Sequence, residues 1–154
     1  MNEHMKKALD EAFKGMRSGE GGPFGAAIVK DGEIIAIGHN EVLKTNDPTA
    51  HAEIVAIRKA TKKLGRFDLS DCEIYSTCEP CPMCYSAIHW AKMKKLYYGA
   101  TRYDAAEIDF DDQYIYDVIL GNATELQVEK QIIDHDECLG PFKEWAEKVD
   151  KIGY

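Results

Sequence analysis

Apolar residues fall at Met5, Ala8, Leu9, Ala12, Phe13 and Met16, the rhythm of one helix face, and predict an amphipathic helix over residues 2–18. The run "GEGGPFG" then breaks the pattern. Two apolar segments, "FGAAIVK" and "EIIAIGHN", flank Asp31-Gly32, which predicts a β-hairpin with a two-residue turn. Asp47-Pro48 predicts a helix start, with Asp47 as N-cap and Pro48 in the first helical position. That helix runs to about Leu64 and is closed by Gly65. "CEIYST" reads as a short strand, Pro82 as the start of a helix to about Lys92, and "KLYYGAT" as another strand. "FDDQYIYDVIL" predicts a short helix with Asp111 or Asp112 at its start. "ELQVEKQII" shows partial strand alternation, and residues 141–151 read as a last helix with Phe142, Trp145, Ala146 and Val149 inward.

Strands alternating with helices on this scale predict an α/β layered fold with helices on both sheet faces. There is no repeat, low-complexity segment or internal linker, so residues 1–154 read as one domain, long enough to bury a core without staples. Hydrophobic residues make up 45% of the chain and charged ones 30%, the balance of an ordinary globular protein. The N-terminus is charged throughout, unlike a secretory signal, and no apolar run approaches the ~20 residues that a membrane span needs. The expectation is a cytoplasmic protein. Its net charge of −8 repels phosphate backbones at long range, which disfavours nucleic acid as a partner. Five cysteines, an odd number, argue against a disulfide framework and for thiols that bind metal, react or fill the core.

Candidate chemistry sits in "TAHAEIVAIRKATKK" and "TCEPCPMCYSAIHWAK". Cys81 and Cys84 are i and i+3 in the opening turn of a predicted helix, so their sulfurs share a face, and the positive helix end favours thiolates. Two such thiolates are half of a tetrahedral zinc site, and His51 at the head of another helix offers a third ligand. Three protein ligands leave one position open, as catalytic zinc requires. Glu53 then has a role, because a carboxylate beside activated water can take its proton and later deliver it to a leaving group. Residues two apart diverge by roughly 200° on a helix. His51 and Glu53 therefore converge only if the site lies off the helix end. Taken alone, the two cysteines also fit a redox dithiol or half of a structural zinc site. With Cys78, the spacing resembles part of an iron–sulfur run. Cys78 itself reads as a core thiol at the end of its strand.

The pair of stretches taken together is more specific. "HAE" at 51–53 and "PCPMC" at 80–84 match the H-x-E…P-C-x-x-C signature of zinc nucleobase deaminases. From "GGPFGAAIVKDGEIIAIGHN" through "NDPTAHAE" to "TCEPCPMCYSAIHWA", the chain resembles the cytidine deaminase-like superfamily. "YDAAEIDFDDQYIYDVI" looks like the version in the small bacterial guanine deaminases. This resemblance implies a three-layer α/β/α sandwich around a mixed five-stranded sheet, a homodimer, and a C-terminal tail that helps to close the site. It implies Zn2+ on His51, Cys81 and Cys84, with Glu53 as the catalytic proton shuttle. Asn40 matches an asparagine that hydrogen-bonds the substrate ring, and Asp112 an acidic residue that fixes the base.

The implied reaction is hydrolysis of guanine to xanthine and ammonia. Phe24 and Trp90 are candidates to stack on a purine, and Tyr154 to reach the pocket. The plain alternatives are core packing for the two aromatics, a turn for Asn40, a helix cap for Asp112 and an exposed terminus for Tyr154. Three competing functions remain: deamination of tRNA adenosine, deamination of cytosine, and a structural zinc module. The last leaves Glu53 idle and needs a fourth ligand, for which Cys78 is the candidate.

Overall fold

A computed structural model describes residues 1–153. Helix α1 (Glu3–Arg17) is capped by Asn2, whose side chain accepts hydrogen bonds from the N–H groups of His4 and Met5. Strands β1 (Gly25–Lys30) and β2 (Glu33–His39) form the expected hairpin. Asp31 (φ 51°) and Gly32 (φ 81°) are both left-handed, as the tight turn requires. There follow α2 (Val42–Thr45), α3 (Ala52–Leu64), β3 (Cys72–Cys78), α4 (Pro82–Trp90) and β4 (Lys95–Ala100). The chain continues with α5 (Arg102–Ala106), α6 (Gln113–Leu120), α7 (His135–Cys138) and α8 (Gly140–Glu147).

The sheet has the order β2-β1-β3-β4, antiparallel except for the parallel pair β3–β4. A Cβ on Gly25 would overlap the backbone of α1, and one on Gly38 that of α3. Gly25 pairs with His39 and Gly38 with Ala26, so these two contacts lie on opposite faces. The two helices therefore cover opposite faces of the sheet, which makes β1 buried along nearly its whole length. On the α3 face, Ala26, Ile28 and Ile74 pack with Ala52, Ala56, Ala60 and Ile88. The alanines let helix and sheet approach closely.

Among the described residues the sheet has four strands, not the expected five. "ELQVEKQII" forms no strand, and Leu126, Val128, Ile132 and Ile133 are exposed. Its alternation lasts for Leu126 and Val128 and then lapses through three polar residues, which leaves no continuous apolar face to fix a register. The last helix also departs from expectation. It ends at Glu147, and Phe142, Trp145 and Val149 are exposed rather than inward. Helical spacing groups those side chains on one side but supplies nothing for them to pack on. No helix among the described residues is long and apolar enough to cross a membrane.

Candidate active site

Helix α3 starts later than Asp47-Pro48 suggests. Asp47 instead accepts hydrogen bonds from the backbone N–H and the hydroxyl of Thr49, at 2.8 and 2.6 Å, and closes a local turn. The N-cap is His51, in an extended conformation (φ −68°, ψ 158°). Cys81 caps α4 in nearly the same conformation (φ −62°, ψ 167°), with Pro82 in the first helical turn. Neither side chain makes a capping hydrogen bond. Both helix heads thus hold side chains that leave the cap open and point their ligand atoms elsewhere. This geometry also resolves the angular difficulty with Glu53, since His51 lies outside the helical turn that carries the carboxylate.

The ligand atoms converge. His51 Nδ1 lies 3.5 Å from Cys81 Sγ and 3.5 Å from Cys84 Sγ. Tetrahedral zinc bonds of about 2.3 Å to sulfur and 2.0–2.1 Å to nitrogen place those atoms about 3.6 Å apart, so the donor set fits the ion. Among the described residues, no fourth donor joins this group. Cys78 stays apart: its thiol donates to the Thr101 carbonyl at 3.6 Å, and burial pushes its pKa up to about 11. Cys81 is pulled down to about 4, first by a hydrogen bond from the Cys84 thiol and then by His51. Cys84 moves up correspondingly, because it keeps the proton that the two sulfurs share, and burial adds to this. The bond to Cys81 raises His51 in turn. A ready thiolate at the positive end of a helix is what a soft divalent cation would meet.

Glu53 is only 6% exposed, and burial raises its pKa above the usual carboxylate range. Its Oε1 accepts a hydrogen bond from the Ser76 hydroxyl at 3.0 Å. Ser76 escapes sequence reasoning, although a polar residue between Ile74 and Cys78 on the same face of a buried strand is a signal that such a partner is needed.

Above these groups opens a cavity of about 750 Å³. His51, Glu53 and Cys81 line it together with Phe24, Asn40 and Asp112. Phe24 meets Phe110 edge-on, with ring centroids 4.9 Å apart. Asn40 is buried, its backbone N–H bonded to the Phe24 carbonyl and its Oδ1 accepting from the Val42 N–H. Asp112 occupies the N-cap position of α6 but makes no capping hydrogen bond with its side chain, so the helix-cap reading does not account for it. Burial raises the Asp112 pKa, opposed by the nearby Arg102 charge.

Two further cavity residues were not evident from the sequence. Glu79 accepts a hydrogen bond from the Arg102 backbone N–H at 3.1 Å. The Arg102 guanidinium lies 4.2 Å from the Tyr116 ring centre and donates to Gln113. Trp90, in contrast, does not line the cavity and is 68% exposed. Cys84 and Ile88 fix the inward face of α4. At about 100° per residue, Trp90 lies roughly 240° round from Cys84. Tyr154 lies outside the described residues.

Residues 1–100 match the family described as the cytidine and deoxycytidylate deaminase zinc-binding region. The chain belongs to that family. It is 50% identical to the guanine deaminase of Bacillus subtilis over 150 residues, covering 97% of this chain and 96% of the relative. The X-ray structure of Bacillus subtilis guanine deaminase superposes with a TM-score of 0.93 at 49% identity, covering 100% of this chain and 99% of that one. A tRNA-specific adenosine deaminase of Aquifex aeolicus is 46% identical over 96 residues, which is 62% of this chain and 63% of the relative. A tRNA-specific adenosine deaminase of Streptococcus pyogenes serotype M1 covers 86% of the chain, at the lower identity of 38%.

Proposed function

We propose that the protein is a zinc-dependent aminohydrolase that converts guanine and water to xanthine and ammonia. The observation that carries this reading is the extent of similarity to guanine deaminase. At 50% identity over 97% of the chain it exceeds the similarity to the tRNA-specific adenosine deaminases in both identity and extent.

His51, Cys81 and Cys84 would hold the zinc. The ion would supply the Lewis acidity that makes water nucleophilic near neutral pH. Glu53, dry and with a raised pKa, is suited to take the proton of the attacking water. It delivers this first proton to a ring nitrogen, which makes the amine-bearing C2 electrophilic, and then takes the second proton from the oxygen that has added to C2 and delivers it to the departing amine. Ser76 holds the carboxylate in place during these transfers. With its Oδ1 engaged by Val42, Asn40 presents its amide nitrogen as a donor to the purine. Phe24 stacks on the ring, and Asp112 accepts a ring N–H. Glu53 therefore has work that a structural zinc module would not give it. The net charge of −8 disfavours an anticodon stem as substrate.

If Asp112 reads a ring N–H, a ribose on that nitrogen removes the donor and leaves a half-buried carboxylate unpaired, at a cost of at least ~1–3 kcal/mol. Guanosine should then fall one to two decades behind guanine in kcat/KM, by about 1.4 kcal/mol per decade. Asp112→Ala should cut guanine turnover and leave zinc content and thermal stability near those of the parent. Steady-state kinetics on both substrates, in parent and variant, decide this. Equal use of the two by the parent removes the free-base reading, and an unaffected variant removes Asp112 from recognition.

The same proposal places residues 1–154 in one deaminase domain whose C-terminal tail helps to close the site of a homodimer. The exposed apolar side chains of the tail, among them Ile132, Ile133, Phe142 and Trp145, are a surface suited to a second copy of the chain. Sedimentation at twice the chain mass is expected; a monomer at micromolar concentration would contradict it. A reducing, cytoplasmic setting suits five unpaired thiols.

A further inference from the structure

The wall of the cavity that carries Asn40 is tied down from behind by a buried charge cluster. His39, the last residue of β2, is 4% exposed and hydrogen-bonded through both ring nitrogens. Nδ1 lies 2.8 Å from Glu11 Oε1 on α1, and Nε2 lies 2.6 Å from Glu20 Oε2 in the loop after α1. Glu41 stands 3.9 Å from Nε2. Lys14 faces Glu11 at 3.2 Å, and Lys44 faces Glu20 at 2.9 Å and Glu41 at 4.0 Å. Burial opposes ionisation of Glu11, but bonds to His39 and Lys14 hold its carboxyl below the usual range. Bonds from Lys44 and His39 do the same for Glu20. Each ring nitrogen thus faces its own carboxylate, and the imidazole bridges the two acids. Glu20, His39 and Glu41 have the donor types of a cation site, but the Lys44 ammonium already stands against both carboxylates.

What the cluster holds is the substrate wall. The Glu20 carbonyl accepts from the N–H groups of Leu43 and Lys44 at 3.1 and 3.0 Å, which joins the loop to α2. The next residue, Gly21, packs so tightly on Asn40 that a Cβ there would overlap its side chain and carbonyl. Gly21, Gly22, Asn40, Val42 and Leu43 all line the cavity. His39 itself does not, so its effect on substrate passes through them.

We propose that His39 is a positioning residue, an internal latch that joins Glu11 of α1 to Glu20 and thereby fixes the Gly21–Gly22 loop, Asn40 and α2 in the geometry that recognises the substrate. This inference rests on the guanine reading for its kinetic readout. It also has a readout that needs no substrate. The latch acts on binding, whereas the proton carrier Glu53 and the Ser76 that holds it belong to α3 and β3.

Two variants test it: His39→Gln, whose single amide nitrogen replaces the two opposed ring nitrogens, and Glu20→Ala, which removes the other end. Each should raise the KM for guanine about tenfold, on the scale of one lost charge-assisted hydrogen bond, while kcat stays within about threefold of the parent. The double variant should be no worse than about twofold beyond the poorer single one, because the two residues act as a unit. In hydrogen–deuterium exchange, the Leu43 and Lys44 amides should exchange at least about tenfold faster, with α3 and α4 amides unchanged. Unchanged KM and exchange, multiplying effects in the double variant, or uniform acceleration along the chain would overturn the latch. If His39→Gln does not fold, Glu20→Ala decides on both readouts. Failure of the parent to turn over guanine would instead count against the substrate reading, and the exchange experiment would still judge the latch.

Discussion

Glu53→Gln is expected to lower kcat for guanine by about 10²–10⁴, the usual range for a lost general acid–base group, while the protein keeps its zinc. Glutamine preserves the shape, and its carbonyl oxygen can still accept the Ser76 hydroxyl that Glu53 Oε1 accepts now. It cannot carry a proton. Burial already disfavours the charged form of Glu53, so a neutral amide in its place should leave thermal stability unchanged or slightly higher. Zinc content, melting temperature and single-turnover rate, measured on one preparation, separate this outcome from a damaged fold. Near-normal turnover with zinc bound would remove Glu53 from proton transfer.

The second large effect concerns the metal. One zinc per chain should be held by His51, Cys81 and Cys84, because their ligand atoms already stand at tetrahedral spacing. A serine hydroxyl is not ionised near neutral pH and is a much poorer ligand than a thiolate. Cys81→Ser and Cys84→Ser should therefore each lose more than about 100-fold in zinc affinity, beyond the 10–100-fold typical for outer partners of a site. Their activity should fall with metal content, and the stabilisation that bound zinc gives the folded chain should be lost as well. Cys78→Ser should purify with zinc, since its thiol bonds to the Thr101 carbonyl instead. Metal analysis of the three variants gives the answer. A metal-free Cys78→Ser beside a zinc-loaded Cys81→Ser would refute the ligand assignment.

The sequence reveals what is encoded locally. Helix α1, the hairpin at Asp31-Gly32 and the end of α3 at Gly65 follow from periodicity and from residues that set backbone conformation. His51, Glu53, Cys81 and Cys84 are legible because each pair lies within one turn of chain, at a spacing that the chemistry dictates. What depends on distant pairing is not legible. Ser76 meets Glu53 across 23 residues of chain, and His39 meets Glu11 across 28. The start of α3 is misplaced because Asp47 makes a turn with the same residue types that cap a helix. Helix α5 is missed because five residues, opened by a Thr101–Asp104 capping box, are too few to show a period. The fifth strand and the inward last helix fail for one reason. Alternation and helical spacing record where apolar side chains group, and nothing in the described chain covers them there.

Action on a free purine base separates this protein from the deaminases of tRNA adenosine and of cytosine. Ammonia release should be followed side by side from guanine, adenosine, cytosine and an adenosine-bearing anticodon stem-loop, with the zinc-loaded protein at equal concentration. Release from guanine should be rapid, at least about tenfold ahead of each of the others, a margin of about 1.4 kcal/mol in transition-state stabilisation. Faster release from the stem-loop or from cytosine than from guanine would contradict action on a free purine base.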